Sequence, residues 1–266
     1  MADNPHDIKV VFFDVDGTLY SHETGAVPQS TRDALRELRE NGVKTVIATG
    51  RHKLDLKKLP VSDMNFDGYL ALNGQMILDG AMHLVGGTAI DPGECKILSL
   101  AFRAKRIPFL ILTEDGRYMN FIDEVAQDGV DRGEYTLPEP DDAFKRNGRP
   151  IFQLCAFVSD DQRELLENVL DECNITSWSP TGIDIVPKGG GKAEGIRKFI
   201  EAEGIERCRT MAFGDGENDV DMLAYAGIGV AMGNGCDEAK AAADYVTDAI
   251  GENGIANALR RFGLID

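Results

Sequence analysis

The chain predicts an α/β fold: a doubly wound parallel sheet assembled from both ends of the sequence, interrupted by an inserted α+β domain over residues 84–184. Short apolar strands alternate with amphipathic helices near both termini, and that rhythm lapses between them. Val10 to Phe13 reads as a strand, Gln29 to Glu40 as a helix with Ala34, Leu35 and Leu38 on one face, and Thr45 to Ala48 as a second strand. Such a strand–helix–strand order calls for parallel pairing. Ser30 is the expected N-cap of that helix, and Asn41-Gly42 its stop. A buried strand follows at Tyr69 to Leu72, and a hairpin at Met76 to Ile90 around Asp79-Gly80.

The middle of the chain is less regular. A helix from Pro92 to Lys105 capped by Asp91, a strand at Ile107 to Leu112, the turn Glu114-Asp115-Gly116 and a polar stretch with Pro138 and Pro140 read as a second domain. A strand at Ile151 to Val158 and a helix at Gln162 to Leu170 complete it, before Ile183 to Pro187 leads into Gly189-Gly190-Gly191. The rhythm then resumes with a helix from Lys192 to Glu203, a strand at Thr210 to Phe213, a helix across Val220 to Ala226, and short strands at Ile228 to Met232 and Tyr245 to Thr247. The core is therefore expected over 1–83 and 185–266.

Composition removes several classes of function. A length of 266 residues suffices for a sizeable core, and the formal charge of −17 opposes nucleic-acid binding, which draws on Lys and Arg. The same charge repels phosphorylated ligands, so a phosphate site here needs a bound cation or a locally basic pocket. The five cysteines are scattered and form no C-x-x-C pair, which reads as buried thiols in a reducing compartment. Met1 to Lys9 is polar, and no run approaches membrane-spanning length, so a cytoplasmic protein without membrane contact is expected.

Chemistry concentrates at strand ends, where open α/β sheets bind ligands. Asp14-Val15-Asp16-Gly17-Thr18 follows the first strand, and Gly214-Asp215-Gly216-Glu217-Asn218-Asp219 follows the strand at Thr210 to Phe213. In a parallel sheet both acidic clusters emerge on one edge, and carboxylates gathered within about 4 Å repel by roughly 4 kcal/mol per pair at an effective dielectric near 20. A divalent cation with hard oxygen ligands, Mg²⁺, is the natural neutraliser. An EF-hand loop would need Gly at Val220 and Glu near Ala226, and a P-loop would need a Ser or Thr after Gly191-Lys192. Thr49-Gly50-Arg51 and Asn73-Gly74 stand after two further strands, and Lys192 opens a helix directly after three glycines, where an anion is favoured.

Asp14-Val15-Asp16-Gly17-Thr18, Thr49-Gly50-Arg51, Lys192 and Gly214-Asp215-Gly216-Glu217-Asn218-Asp219 resemble, in order, the motifs of the haloacid dehalogenase superfamily, and the chain as a whole resembles its Cof-like phosphatases. Gly189-Gly190-Gly191 is richer in glycine than that pattern expects. The resemblance implies a Rossmann-like core with a large α/β cap at 84–184 and a phosphatase for a small phosphorylated metabolite, sugar phosphates first. It implies Asp14 as nucleophile, Asp16 as acid and then base, and Mg²⁺ held by Asp14, the Asp16 backbone carbonyl and Asp215. Thr49, Gly50, Lys192 and Asn73 would bind phosphate, with Asn218 and Asp219 supporting from behind. The alternatives are a phosphotransferase or phosphomutase using the same aspartyl phosphate, and a non-catalytic phospho-acceptor module, which is shorter and has no use for Asp16.

Overall fold

The computed structural model describes residues 7–131, 136–141, 149–177 and 180–266. The first six residues of the polar start Met1 to Lys9 lie outside them. The chain divides into two compact units, one running to Gly87 and resuming at Gly191, the other spanning Thr88–Gly190. These changeovers fall four and six residues beyond the expected 83/84 and 184/185, because the strand Leu84–Gly87 pairs with Met76–Asp79 in the first unit and Gly182–Pro187 pairs with Cys173–Ser177 in the second.

In the first unit, β1 (Val10–Phe13) is followed by α1 (Gln29–Glu40), β2 (Lys44–Ala48), the short α2 (Lys53–Leu56), β3 (Gly68–Ala71), β4 (Met76–Asp79) and β5 (Leu84–Gly87). α1 buries Thr31, Ala34, Leu35 and Leu38, the face its periodicity predicts. Its N-cap is Pro28, with no side-chain bond, so the expected cap at Ser30 is wrong: Ser30 lies inside the first turn, and its buried hydroxyl has no partner. β4 and β5 form the expected hairpin, yet they extend the core sheet.

The second unit contains α3 (Pro92–Ala104), β6 (Phe109–Leu112), β7 (Arg117–Met119), α4 (Glu124–Asp131), β8 (Gln153–Phe157), α5 (Asp160–Val169), β9 (Cys173–Ser177) and β10 (Gly182–Pro187). Asp91 caps α3 as expected, accepting from the backbone N–H groups of Gly93 and Glu94. Its strands form an antiparallel sheet in the order β7-β6-β8-β10-β9. Leu98 and Phe102 of α3 and Leu166 of α5 pack with Phe109, Ile111, Leu154, Ile183 and Ile185 in one apolar core. β7, α4 and β9 carry too little apolar periodicity to be read from sequence.

The chain returns to the first unit with α6 (Lys192–Glu203), β11 (Thr210–Gly214), α7 (Val220–Tyr225), β12 (Ile228–Ala231), α8 (Asp237–Ala242), β13 (Tyr245–Val246) and α9 (Gly254–Arg261). The eight-stranded sheet has the order β13-β12-β11-β1-β2-β3-β4-β5. It is parallel from β13 to β3, and β1 is flanked by β2 on one side and β11 on the other. The strand order therefore reverses between β1 and β11, the switch point at which such sheets open a crevice. Phe12, Val46, Leu70 and Ala212 pack beneath Ile196 and Phe199 of α6 and Met222 and Leu223 of α7. No helix among the described residues is long and apolar enough to cross a membrane.

Candidate active site

β1 and β11 run in register, Phe13 opposite Phe213, and their rings stack at 5.3 Å. This pairing delivers Asp14 and Asp215 side by side beyond the strand ends. The Asp14 N–H donates to the Phe213 carbonyl at 2.9 Å, and the Asp14 side chain turns into the protein, leaving the residue 5% exposed. Gly17 has φ +82°, and a Cβ there would lie 2.1 Å from Asp215 Oδ2, so the Asp215 carboxylate occupies the space that a side chain would fill. Thr18 Oγ1 donates to Asp215 Oδ1 at 2.7 Å. The Gly-Thr pair after the two aspartates is thus a seat for a carboxylate 197 residues away.

Lys192 is fully buried at the start of α6 and donates to Asp14 Oδ1 at 2.6 Å and Asp219 Oδ1 at 2.5 Å. Asp219 Oδ2 accepts the backbone N–H groups of Asp215 and Gly216, both at 2.9 Å. The glycine-rich run is explained at Gly191, which precedes the lysine at φ +131°, where a Cβ would approach Asp221 Oδ2 to 2.7 Å. That same carboxylate oxygen accepts the N–H of Ala193 at 3.1 Å and so occupies the first turn of α6.

The remaining predicted residues fall on adjacent loops. Thr49 is buried, its Oγ1 accepts the Arg51 N–H at 3.1 Å, and its carbonyl accepts the Asn73 N–H at 2.8 Å. Leu72 and Asn73 both have left-handed backbone, φ 50° and 52°, an unfavourable conformation concentrated beside the site. Asn218 Nδ2 donates to Asn73 Oδ1 at 3.1 Å, and Gly50 lies against both side chains. Asp16 is held apart from the Asp14–Lys192–Asp219 chain by a two-point bond from Arg51, Nε to Oδ2 at 2.6 Å and Nη2 to Oδ1 at 2.7 Å, with His22 Nε2 2.9 Å from Oδ1. Sequence reasoning missed the roles of Thr18, His22 and Asp221. Thr18 stood within the first motif, whereas nothing in the sequence marks His22 or Asp221.

Electrostatics separate these carboxylates. Burial pushes Asp14 up to about 7, against the pull of Lys192, with Asp219 and Asp215 adding to the rise. Burial likewise pushes Asp215 up to about 6, only partly offset by the Thr18 hydrogen bond. For Asp16, burial is outweighed by the bonds and charge of Arg51 and by His22, which hold it below the usual carboxylate range. Burial also works against the Lys192 ammonium, but Asp14 and Asp219 outweigh it and raise its pKa.

Asp14, Asp215 and Asp219 each bring an oxygen within 4.8 Å of the others. Asp219 is spent on hydrogen bonds at both oxygens, whereas Asp14 Oδ2 and Asp215 Oδ2 accept none among the described residues. A buried carboxylate and a half-buried one with open oxygens, facing a single ammonium, are a donor set that fits a hard divalent cation.

A parallel sheet with its switch point lined by aspartates, a buried lysine and a threonine, and with a separate α+β unit inserted in the chain, defines a class of hydrolase that works on phosphate esters. The sequence profile of the haloacid dehalogenase-like hydrolases matches residues 11–259, and the chain belongs to that family. It is 34% identical over 260 residues to YkrA of Bacillus subtilis (strain 168), covering 97% of this chain and 99% of the relative. It is 33% identical to 5-amino-6-(5-phospho-D-ribitylamino)uracil phosphatase YcsE of the same organism, over 97% of both chains. Among solved structures, BT1666 from Bacteroides thetaiotaomicron, from a study of HAD-superfamily phosphatases, superposes with a TM-score of 0.85 at 32% identity, over 98% of this chain and 97% of that one. The subclass IIB sugar phosphatase BT4131 superposes with a TM-score of 0.77 at 34% identity, over 97% and 100%. The chain is a phosphatase of this superfamily's subclass IIB, a phosphoric monoester hydrolase, and the non-catalytic phospho-acceptor alternative falls away.

Proposed function

We propose that the chain hydrolyses a small phosphomonoester, sugar phosphates being the leading class, through an aspartyl phosphate on Asp14. The observation that carries this reading is the buried Asp14–Lys192–Asp219 chain beside Asp215. One Asp14 carboxylate oxygen would attack phosphorus while the other stays with the cation, and Lys192, bonded to Oδ1, holds the side chain in place. As the Asp14 O–P bond forms, the ester O–P bond breaks, and the leaving oxygen takes a proton from Asp16, which must first be released from the Arg51 pair that keeps it ionised and take up that proton from solvent. Water then gives a proton to the Asp16 carboxylate and attacks phosphorus, so that inorganic phosphate departs and Asp14 is restored.

Asp14, Asp215 and the Asp16 main-chain carbonyl would hold Mg²⁺, which when bound supplies positive charge between the anionic nucleophile and the anionic phosphate. The Thr49 hydroxyl, the Gly50 backbone, Asn73 and Lys192 would receive the phosphoryl oxygens, and Asn218, bonded to Asn73, would keep that amide oriented. Asp219 positions Lys192 and the backbone of residues 215 and 216. We assign substrate selection to the inserted unit as a cap. None of the five cysteines forms a disulfide, which supports a reducing, cytoplasmic location; Cys95 and Cys173 are buried as expected, whereas Cys208 is exposed.

The test is phosphate release from a panel of sugar phosphates, nucleotides and pyridoxal phosphate, with Mg²⁺ or with chelator, for the intact protein and Asp14→Asn. Metal-dependent release that disappears in the variant supports the reading. Full activity in the variant, or indifference to chelation, overturns it.

A further inference from the structure

Both carboxylate oxygens of Asp16 are already engaged: Oδ2 by Arg51 Nε, and Oδ1 by Arg51 Nη2 and His22 Nε2. The Arg51 and Asp16 side chains are 32% and 33% exposed, so a bound molecule can reach the pair. The inference rests on the proposed role of Asp16 at the ester oxygen. On that reading, a leaving group that hydrogen-bonds to Asp16 must displace at least one of these donors.

A displaced guanidinium keeps its charge, and its planar fork matches a carboxylate or a phosphate. Left without a partner in a part-buried position it is unfavourable. A neutral alcohol offers little to replace the lost anion, whereas an alcohol carrying its own anionic group offers a full replacement. His22 adds a second nitrogen donor on the same side, its ring edge-on to Tyr20 at 5.1 Å. In a chain of net charge −17, this pairing of Arg51 and His22 on one acidic side chain is a local feature that the overall charge does not produce.

We propose that Arg51, assisted by His22, selects phosphomonoesters whose leaving alcohol bears a second anionic group close to the ester oxygen. Within the sugar-phosphate class this favours phosphorylated sugar acids and bisphosphates over neutral monophosphates.

The experiment compares kcat/KM for 3-phosphoglycerate and glycerol 3-phosphate, which differ only in a carboxylate against a hydroxymethyl group, with p-nitrophenyl phosphate as a general reporter. The intact enzyme is expected to prefer 3-phosphoglycerate by about tenfold, or about 1.4 kcal/mol. Arg51→Met should bring the ratio to about one, Arg51→Lys should retain part of it, and His22→Phe should lower it by roughly two- to threefold. The ratio is taken within one preparation, so a loss of folded protein or of overall rate cancels. If p-nitrophenyl phosphate is hydrolysed but the intact enzyme shows no preference, or if Arg51→Met keeps the preference, the inference is wrong while the phosphatase reading stands. If no ester is hydrolysed in the presence of Mg²⁺, the phosphatase reading fails and the inference with it.

Discussion

Asn120 in the inserted unit and the Asp14–Asp215 pair in the core unit hold polar side chains in opposite ways. In the inserted unit, Asn120 is 1% exposed and spends its amide entirely on the backbone, accepting from the N–H groups of Phe109 and Phe121 and donating to the carbonyls of Phe102 and Ile107. In the core unit, Asp14 and Asp215 are tied down at one oxygen and open at the other, with like charges beside them. A buried polar group whose hydrogen bonds are all made stabilises the fold. One that keeps an open atom among like charges sacrifices stability for chemistry.

The hardest blow to this contrast is Asp14→Asn. It should lower kcat by roughly 10³-fold or more, as loss of a nucleophile does, while the protein stays folded and its melting temperature in chelator holds or rises. A variant that melts far below the parent would place Asp14 with Asn120 as a structural group. The converse is Asn120→Ala, which strands buried backbone donors and acceptors and should cost about 2–4 kcal/mol in urea unfolding. A change under about 0.5 kcal/mol would remove Asn120 as the opposite pole of the comparison.

The open carboxylates also predict a pH-dependent response to metal. Asp14 at about 7 and Asp215 at about 6 stand above the 3.8 of an unperturbed aspartate. In the metal-free protein the stability that these raised values contribute is complete below about pH 3.8, and it is lost as pH rises through about 6 and 7. Mg²⁺ binds the ionised forms, so the melting-temperature increment from saturating Mg²⁺ should be small near pH 5 and grow through pH 6 to 7. An increment that stays level over that range would mean the cation does not bind these groups. The smallest expected effect is at Ser30, whose buried hydroxyl has no partner. Ser30→Ala should be neutral or stabilise by up to about 1 kcal/mol, through helix propensity and the loss of an unsatisfied group; a loss of stability would show that the hydroxyl is used.

Much of the architecture was legible because its signals are local. The limits of α6 are those that the apolar spacing and the Gly189-Gly190-Gly191 run indicated, and the face buried by α1 follows from its periodicity. Ser30 misled because its residue type suits a cap, while Pro28 held the position outside the helix. β7, α4 and β9 were missed because short, half-exposed elements take their stability from neighbours across the sheet or core.

By itself the sequence determined the order of strands and helices in the core and the placing of acidic, hydroxyl and basic groups at strand ends. Both depend on spacing along the chain, which periodicity and turn chemistry record directly. Only the tertiary structure decided that Lys192 meets Asp14 across 178 residues, that Asp215 packs onto Gly17, and that Arg51 and His22 converge on Asp16. Each of those contacts depends on which strands lie adjacent in the sheet and how deeply the ends of β1 and β11 are buried, and no local property of the chain specifies either.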